Sequence, residues 1–337
     1  MRKIRIAQIG VNMYSHSCEI FHTIKMHPEV FEIVGYTLVE DERETCAEKI
    51  KEFDGYPELT LEEILNDKSI EAVAVETDEI HLTKYAIMAA EHGKHIHMEK
   101  PGSQSLADFE ELVNTVRKNG TVLHLGYMYR YNPYVSDCIK RANSGELGEI
   151  YSVETHMSRT DGEAVRSWLG SFRGGMMFYL GCHLIDLVLQ IQGMPLEVLP
   201  FNTATGYGDI NAEDNSLALL KYPRGYSIVR VAGTEIGGFE RRQLVVMSDR
   251  VTVEIRPLEF NVDADKKKTR YAQGVAKREA VMGDSSWSSS TYTSEQFDRY
   301  ENMMLAFGAM VRGEKENPYT LDYELALFKI ILKCCGM

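Results

Sequence analysis

The chain has 337 residues, long enough for two domains, since a typical domain has roughly 100 to 200 residues. Its formal net charge of −13 excludes the basic face that nucleic-acid-binding proteins need. No apolar run is long enough to cross a bilayer, and the N-terminal MRKIRIAQIG lacks the apolar core of an export signal. We therefore expect a cytoplasmic protein with no nucleic-acid or membrane partner.

The first part of the chain, from Lys3 to Gly126, alternates short β-branched runs with helical segments. This alternation is typical of βαβ units and a parallel sheet. The predicted strands are Ile4 to Ile9, Ile33 to Leu38, Ala72 to Val75, His95 to Met98 and Val122 to Leu125. The predicted helices are Cys18 to Met26, Glu42 to Glu52, Thr83 to Glu91, Leu106 to Lys118, and one from Pro133 towards Gly145.

Beyond Gly148 longer alternating runs predict antiparallel strands, and Tyr222 to Tyr226 places Pro and Gly between two of them, as a hairpin requires. Helices are predicted from Gly181 to Gln192 and near Glu301 to Arg312 and Asp322 to Cys334, covering one face of that sheet. We interpret the serine-rich stretch from Ser285 to Ser294 and the basic run Lys266-Lys267-Lys268 as loops.

The turn after the first strand reads Gly10-Val-Asn-Met-Tyr-Ser15, where a dinucleotide-binding fold has Gly-x-Gly-x-x-Gly. Only the first glycine is present. Asn12 tolerates a left-handed backbone better than most residues, and Ser15 is still small. The N-terminus of the following helix offers unpaired N–H groups to a phosphate whatever the side chains are. The turn fits either phosphate binding or a plain strand-to-helix connection.

At the end of the second strand an acidic residue should bind the ribose hydroxyls of NAD, and Leu38 occupies that position. Glu40 and Asp41 follow slightly later, and Arg43 can meet the 2′-phosphate of NADP or be solvated. The choice between NAD and NADP stays open.

Cysteine and histidine spacing favours no metal site. The six cysteines form no CxxC pair, which is typical of reduced thiols. His95 and His97 share one face of a strand without a third ligand, so a packed strand is the preferred interpretation.

Two segments carry a family resemblance. The first joins Gly93-Lys-His-Ile-His-Met-Glu99-Lys100-Pro101 to Arg130-Tyr-Asn-Pro133, and the second reads Gly174-Gly175, then Gly181-Cys-His183-Leu-Ile-Asp186. The chain resembles the Gfo/Idh/MocA dehydrogenases over essentially its whole length. The resemblance implies an α/β N-terminal Rossmann domain with a parallel sheet, residues 1–126. It also implies an α+β C-terminal domain with a large, mostly antiparallel open sheet, residues 127–337.

The resemblance assigns catalytic roles to two residues. Lys100 follows a parallel strand at the sheet edge where open α/β folds bind ligands, and its ammonium can hydrogen-bond a substrate hydroxyl. Pro101 restricts the backbone of Lys100. His183 is the implied general acid/base, a role that suits an unperturbed pKa of roughly 6.5. Asp186, one helical turn further, can orient the His183 ring or join the local hydrogen-bond network.

The chain departs from the family pattern at Tyr179, where relatives have an aspartate. A tyrosine hydroxyl donates and accepts hydrogen bonds but carries no charge at neutral pH. The leading hypothesis is an NAD(P)-dependent oxidoreductase of a sugar, cyclitol or related polyol. The alternatives are a glycosidase or lyase that uses transient oxidation by bound NAD, and a ligand-sensing homologue without turnover.

The complete set of predicted site residues follows from these positions. The predicted cofactor-binding residues are Gly10, Asn12, Met13, Ser15, Leu38, Thr77, His81, Glu99, Lys100 and Pro101. The predicted substrate contacts are Tyr129, Arg166 and Trp168, the last two in a loop before the histidine motif. A homodimer or homotetramer is implied by the resemblance.

Overall fold

The structure, a computed structural model, describes residues 2–261, 272–284, 286–288 and 297–337. These form two compact units, the first comprising Met1–Tyr127 with Tyr300–Ala326 and the second Met128–Arg299 with Leu327–Met337. The boundary after residue 126 stays a prediction. The run Lys266 to Lys268 and most of the serine-rich stretch lie outside the described residues.

The first unit contains a five-stranded parallel sheet with the order β2-β1-β3-β4-β5. Its strands are β1 (Ile4–Ile9), β2 (Phe31–Thr37), β3 (Ala72–Val75), β4 (His95–Met98) and β5 (Leu123–Leu125). β3 is buried throughout, as expected for a strand with both faces covered. The predicted parallel sheet is confirmed, and all five strands end at one sheet edge.

Six helices connect or flank these strands: α1 (Ser17–Met26), α2 (Glu42–Thr45), α3 (Ala47–Ile50), α4 (Leu61–Asn66), α5 (Leu82–Glu91) and α6 (Leu106–Asn119). The single helix predicted from Glu42 to Glu52 is wrong in detail, because the helix is interrupted at Cys46. Its second piece, α3, is followed by a 3₁₀ turn at Lys51–Phe53. α4 was not predicted, although Thr60 and Glu63 form a capping box at its start.

The second unit contains a seven-stranded sheet with the order β14-β11-β10-β6-β9-β8-β7. Its strands are β6 (Ile150–His156), β7 (Glu197–Thr203), β8 (Asn215–Lys221), β9 (Tyr226–Ala232), β10 (Gln243–Ser248), β11 (Val251–Ile255) and β14 (Lys277–Val281). Only β6 and β9 pair in parallel; the other neighbours are antiparallel. A small antiparallel sheet joins β12 (Phe260–Asn261), β13 (Ala272–Gly274) and β15 (Phe297–Asp298).

The predicted β8–β9 hairpin is confirmed, with Lys221 opposite Tyr226. Three helices complete this unit: α7 (Pro133–Asn143), α8 (Glu163–Leu169) and α9 (Cys182–Gln192). α9 packs on β6 and β9, and α7 packs on α9. The mostly antiparallel sheet with helices on it confirms the predicted α+β class.

The C-terminal helices are α10 (Glu301–Val311) and α11 (Leu321–Cys334). The prediction that α10 covers the second sheet is wrong, because α10 belongs to the first unit and contacts α1. Gly308 permits this packing, since a Cβ atom there would lie 2.8 Å from Val30 Cγ1. α11 is divided between the two units. Among the described residues no helix combines the length and apolarity that a membrane crossing requires.

Candidate active site

The turn after β1 requires glycine at Gly10. This residue has φ +92°, and a Cβ atom would lie 2.7 Å from Thr77 Cγ2 and 3.0 Å from the carbonyl of Glu76. The backbone N–H of Asn12 donates to the same carbonyl at 3.2 Å. The turn therefore lies directly against the end of β3, leaving the N-terminus of α1 facing the sheet edge.

Hydrogen bonds from side chains stabilise this turn at the two positions where the Gly-x-Gly-x-x-Gly motif has its second and third glycines. Ser15 Oγ donates to Glu76 O at 3.0 Å, and Asn12 Oδ1 accepts from the N–H of Tyr14 at 2.8 Å. Lys49 Nζ donates to the carbonyls of Asn12 and Ser15, both at 2.8 Å. Asn12 does not use a left-handed backbone: the non-glycine residues with positive φ among those described are Glu40 and Asp209. Met13 is exposed.

Leu38 offers no carboxyl group, but Glu42 brings one to the end of β2. Its Oε2 accepts from the N–H groups of Val11 at 2.9 Å and Val39 at 3.0 Å, joining the ends of β1 and β2. The side chain is only 2% exposed, and within the described part of the chain its Oε1 has no hydrogen-bond partner. Burial raises the pKa of Glu42 to about 7. An unpartnered buried acceptor here fits the ribose hydroxyls of a dinucleotide.

The rest of the β2 end is also acidic. Glu40 has φ +51° and accepts from Lys84 Nζ at 2.6 Å and Tyr85 Oη at 2.8 Å, and these hydrogen bonds lower the pKa of Glu40. His81 Nδ1 lies 3.8 Å from the same carboxylate. Arg43, the candidate for a 2′-phosphate, forms an ion pair with Glu58.

Lys100 lies fully buried just beyond the carboxyl end of β4. Its Nζ is 3.2 Å from Glu99 Oε1, and Glu99 Oε2 is 3.4 Å from His16 Nδ1. The Lys100–Pro101 peptide bond is cis. The ammonium therefore sits at the same sheet edge as the Gly10 turn, with a carboxylate as its neighbour.

Two further buried carboxyl groups, of Glu76 and Glu79, follow β3. In the described structure neither has a hydrogen-bond partner. Burial and the neighbouring Glu99 raise the pKa of Glu76 well above its usual range. Burial raises the pKa of Glu79 to about 8, although Lys100 opposes the shift. Both shifts favour the protonated carboxyl groups, which limits the negative charge around Lys100.

The histidines of β4 are packed side chains. His97 Nδ1 lies 2.8 Å from His124 Nδ1, and both rings contact Phe307. Burial lowers the pKa of His97 to about 4. His95 Nδ1 accepts from the N–H of Val122 at 3.0 Å. The described residues contain no group of three or more potential ligands arranged for a metal ion.

In the second unit a π-helical turn, Met177–Gly181, leads into α9 and carries Tyr179. His183 lies in the first turn of α9 and is buried. Tyr179 is also buried, and its ring meets Trp168 edge-on at 5.1 Å. Tyr179, His183 and Asp186 therefore lie on one continuous helical segment.

Asp186 is joined to Arg130, a residue that the sequence analysis used only as part of a motif. Arg130 Nε and Nη2 donate to Asp186 Oδ2 at 3.0 Å and Oδ1 at 2.8 Å, and both side chains are buried. Gln190 Nε2 donates to Asp186 at 2.7 Å. Asp186 thus belongs to a network that fixes α9.

Tyr129 is buried, and its hydroxyl donates to Glu259 Oε1 at 2.7 Å. Its ring contacts His183 edge-on, with 5.6 Å between ring centroids. Sequence reasoning missed Glu259, because nothing in the local pattern near β12 distinguishes this glutamate from a surface residue.

Arg166 and Trp168 lie on α8, so the prediction of a loop at these residues is wrong. Arg166 is 1% exposed; its Nη1 donates to Tyr207 O at 2.6 Å and lies 3.4 Å from Asp214 Oδ2. Trp168 is partly exposed and also contacts Phe172 at 5.0 Å. Trp168 is thus the most accessible of the three predicted substrate contacts, Tyr129, Arg166 and Trp168.

Family models match both parts of the chain. Residues 4–127 match the model of an oxidoreductase family with an NAD-binding Rossmann fold, and residues 138–254 match a GFO/IDH/MocA C-terminal domain. The chain belongs to the GFO/IDH/MocA oxidoreductase family. This membership confirms the predicted family and the predicted dinucleotide cofactor, NAD or NADP.

The individual relatives share less than 30% sequence identity with the chain. The chain is 28% identical to the uncharacterized oxidoreductase YhhX of Escherichia coli over 49% of this chain and 52% of that protein. It is 26% identical to scyllo-inositol 2-dehydrogenase (NADP(+)) IolW of Bacillus subtilis over 58% and 55%. The matches thus span little more than half of these relatives' lengths. A putative NADPH-dependent oxidoreductase of Desulfitobacterium hafniense has the same fold, with TM-score 0.80, 17% identity, and coverage of 100% and 95%.

Proposed function

We propose that this family member is an NAD(P)-dependent dehydrogenase or reductase of a sugar, cyclitol or related polyol. The observation that carries the proposal is the position of Lys100, buried at the carboxyl edge of the sheet that also holds the Gly10 turn. Open α/β sheets bind their ligands at this edge. The scyllo-inositol dehydrogenase among the relatives supports a cyclitol or sugar as the small-molecule substrate.

In this proposal Lys100 and His183 have different roles in the transfer of hydride and proton. A bound nicotinamide supplies the hydride acceptor or donor. The Lys100 ammonium donates a hydrogen bond to the substrate oxygen and stabilises its alkoxide character. His183 accepts the hydroxyl proton in oxidation and returns it in reduction, while Tyr179 offers an uncharged hydroxyl. Asp186 fixes the helix that carries His183. The cytoplasmic location and a homo-oligomeric state complete the proposal.

The preferred cofactor in this proposal is NAD. Glu42 offers a free carboxyl oxygen to ribose hydroxyls at the end of β2, and Glu40 and Asp41 add negative charge beside it. A 2′-phosphate would face these carboxylates, and Arg43 is engaged by Glu58.

The test combines cofactor binding with turnover. Fluorescence titration should show tighter binding of NADH than of NADPH, and a screen of inositols and sugars with each cofactor should identify the substrate. Lys100→Met should lower kcat on that substrate by about 100-fold, since removing one preorganised donor has this order of effect, while NADH still binds. Lys118→Met, on the exposed end of α6, is the matched control and should be unchanged. Full turnover by Lys100→Met would contradict the proposed site.

One observation favours a second function. Tyr179 places a buried aromatic ring, not a carboxylate, one turn before His183. A ligand-sensing homologue would bind NADH and a sugar without turnover of any polyol. A glycosidase or lyase that oxidises its substrate transiently would form product without net change in NADH. Absence of NADH and NADPH binding would contradict both enzyme readings.

A further inference from the structure

Tyr129 is held by a buried carboxylate. Glu259 Oε1 accepts from the Tyr129 hydroxyl at 2.7 Å, and Glu259 Oε2 accepts from Arg299 Nε at 2.9 Å. Arg242 Nη1 also contacts Glu259 and lies 3.4 Å from the Tyr129 hydroxyl. Two guanidinium groups thus surround one carboxylate in a buried site.

The charges keep this anchor ionised. The guanidinium groups of Arg299 and Arg242 hold the pKa of Glu259 at about 2 despite its burial, which acts in the opposite direction. Burial and the carboxylate raise the pKa of Tyr129, so its hydroxyl stays a donor. A charge-assisted hydrogen bond of this kind is roughly twice as strong as a neutral one.

The Tyr129 ring also contacts His183, the residue proposed to transfer the proton. Its ring meets the His183 imidazole edge-on, at 5.6 Å and an interplanar angle of 71°, a favoured aromatic arrangement. The next residue, Arg130, pairs with Asp186, one turn after His183 on α9. Adjacent residues of the 3₁₀ turn Met128–Tyr131 therefore hold two successive turns of α9.

We propose that Tyr129 is a positioning residue that fixes the His183 imidazole, with Glu259 as its anchor. The hydroxyl is committed to Glu259, so Tyr129 acts on His183 through its ring in place of the predicted contact with substrate. This inference rests on the proposed function of His183 as proton acceptor and donor. An imidazole held in one orientation is more often placed correctly for proton transfer. A misplacement of a catalytic group by about 1 Å can lower the reaction rate by about 100-fold.

The test reads His183 directly. Full-length protein labelled with ¹⁵N-histidine gives imidazole signals, and His183→Asn assigns the one from His183. Tyr129→Phe keeps the ring but frees it from Glu259, so the chemical shift and pH titration of His183 should change. Tyr222→Phe is the matched control: this buried tyrosine donates to Gly193 O at 2.9 Å, at the far end of α9. It should leave the His183 signal unchanged.

Kinetics supply the second readout. With the substrate found by the screen, Tyr129→Phe should lower kcat by about 5-fold and alter its pH profile, with little change in KM. Glu259→Gln should have the same effect and serves if Tyr129→Phe fails to fold. His183 signals that stay as in the wild type in the folded variants would overturn the inference. A changed signal in a protein without turnover would support it and reject only the proposed function.

Discussion

At the scale of single residues, Glu42 brings a carboxyl group to a place where the sequence offered only Leu38. The ribose-binding acid was expected where Leu38 stands, yet the Glu42 carboxylate reaches the ends of both β1 and β2. The acidic run Glu40-Asp41-Glu42 was visible in the sequence. Its contact with Val11, 31 residues away in the chain, depended on the tertiary fold, which no local pattern indicated.

Measured at about pH 8, above the pKa of Glu42, Glu42→Gln should weaken NADH binding by about 10-fold, because a charged acceptor for the ribose hydroxyls becomes a neutral one. Binding of NADPH should change less, so the dissociation constant of NADPH divided by that of NADH should fall. Fluorescence titration of both cofactors measures this ratio. Glu44→Gln, on the same helix but exposed, is the control. An unaltered NADH dissociation constant in Glu42→Gln would remove Glu42 from the cofactor site.

At the scale of elements, α9 is the helix whose bounds the sequence predicted well. Its bounds agree with the sequence prediction within a residue, since its apolar pattern is continuous and Gly193 ends it. The preceding π-helical turn, Met177–Gly181, was not predicted, because it depends on how this segment packs. α8 was also missed, being a short helix inside a polar stretch.

Arg130→Met should destabilise the second unit by about 3–5 kcal/mol, because Asp186 would remain as a buried charge without its guanidinium partner. The double variant Arg130→Met/Asp186→Leu should recover a large part of this loss. Urea unfolding of the three proteins measures the coupling. Arg224→Met breaks an exposed ion pair with Glu149 and should leave the unfolding midpoint unchanged. Equal losses in the single and double variants would contradict the account.

At the scale of the whole molecule, three buried glutamates have pKa values shifted in opposite directions. In the first unit burial raises the pKa of Glu42 to about 7 and of Glu79 to about 8. Their stabilising contribution is complete below an unfolded pKa of about 4.3 and is lost as pH rises through 7 and 8. In the second unit the pKa of Glu259 is about 2, so its contribution is present above about 4.3 and lost as pH falls through 2.

The protein should therefore be most stable near about pH 4, where the two contributions overlap, and should lose stability towards about pH 9. Glu79→Gln should remove part of the alkaline loss while matching the wild type near about pH 4, because a neutral carboxamide resembles the protonated acid. Urea midpoints at the two pH values measure this difference. Glu111→Gln, exposed on α6, serves as control. A Glu79→Gln variant with the same alkaline loss as the wild type would show that Glu79 is ionised in the fold.

The sequence by itself determined the two kinds of sheet, the bounds of most strands and the family, since side-chain periodicity and the Glu-Lys-Pro and histidine motifs are local properties of the chain. It also located Gly10, Lys100 and His183. The tertiary structure alone decided the partners of these residues: Glu42 at the β2 end, Glu259 behind Tyr129, and the packing of α10 on the first unit. The physical reason is that burial and pairing join residues far apart in the chain. The local spacing of residues does not predict which distant side chains come into contact.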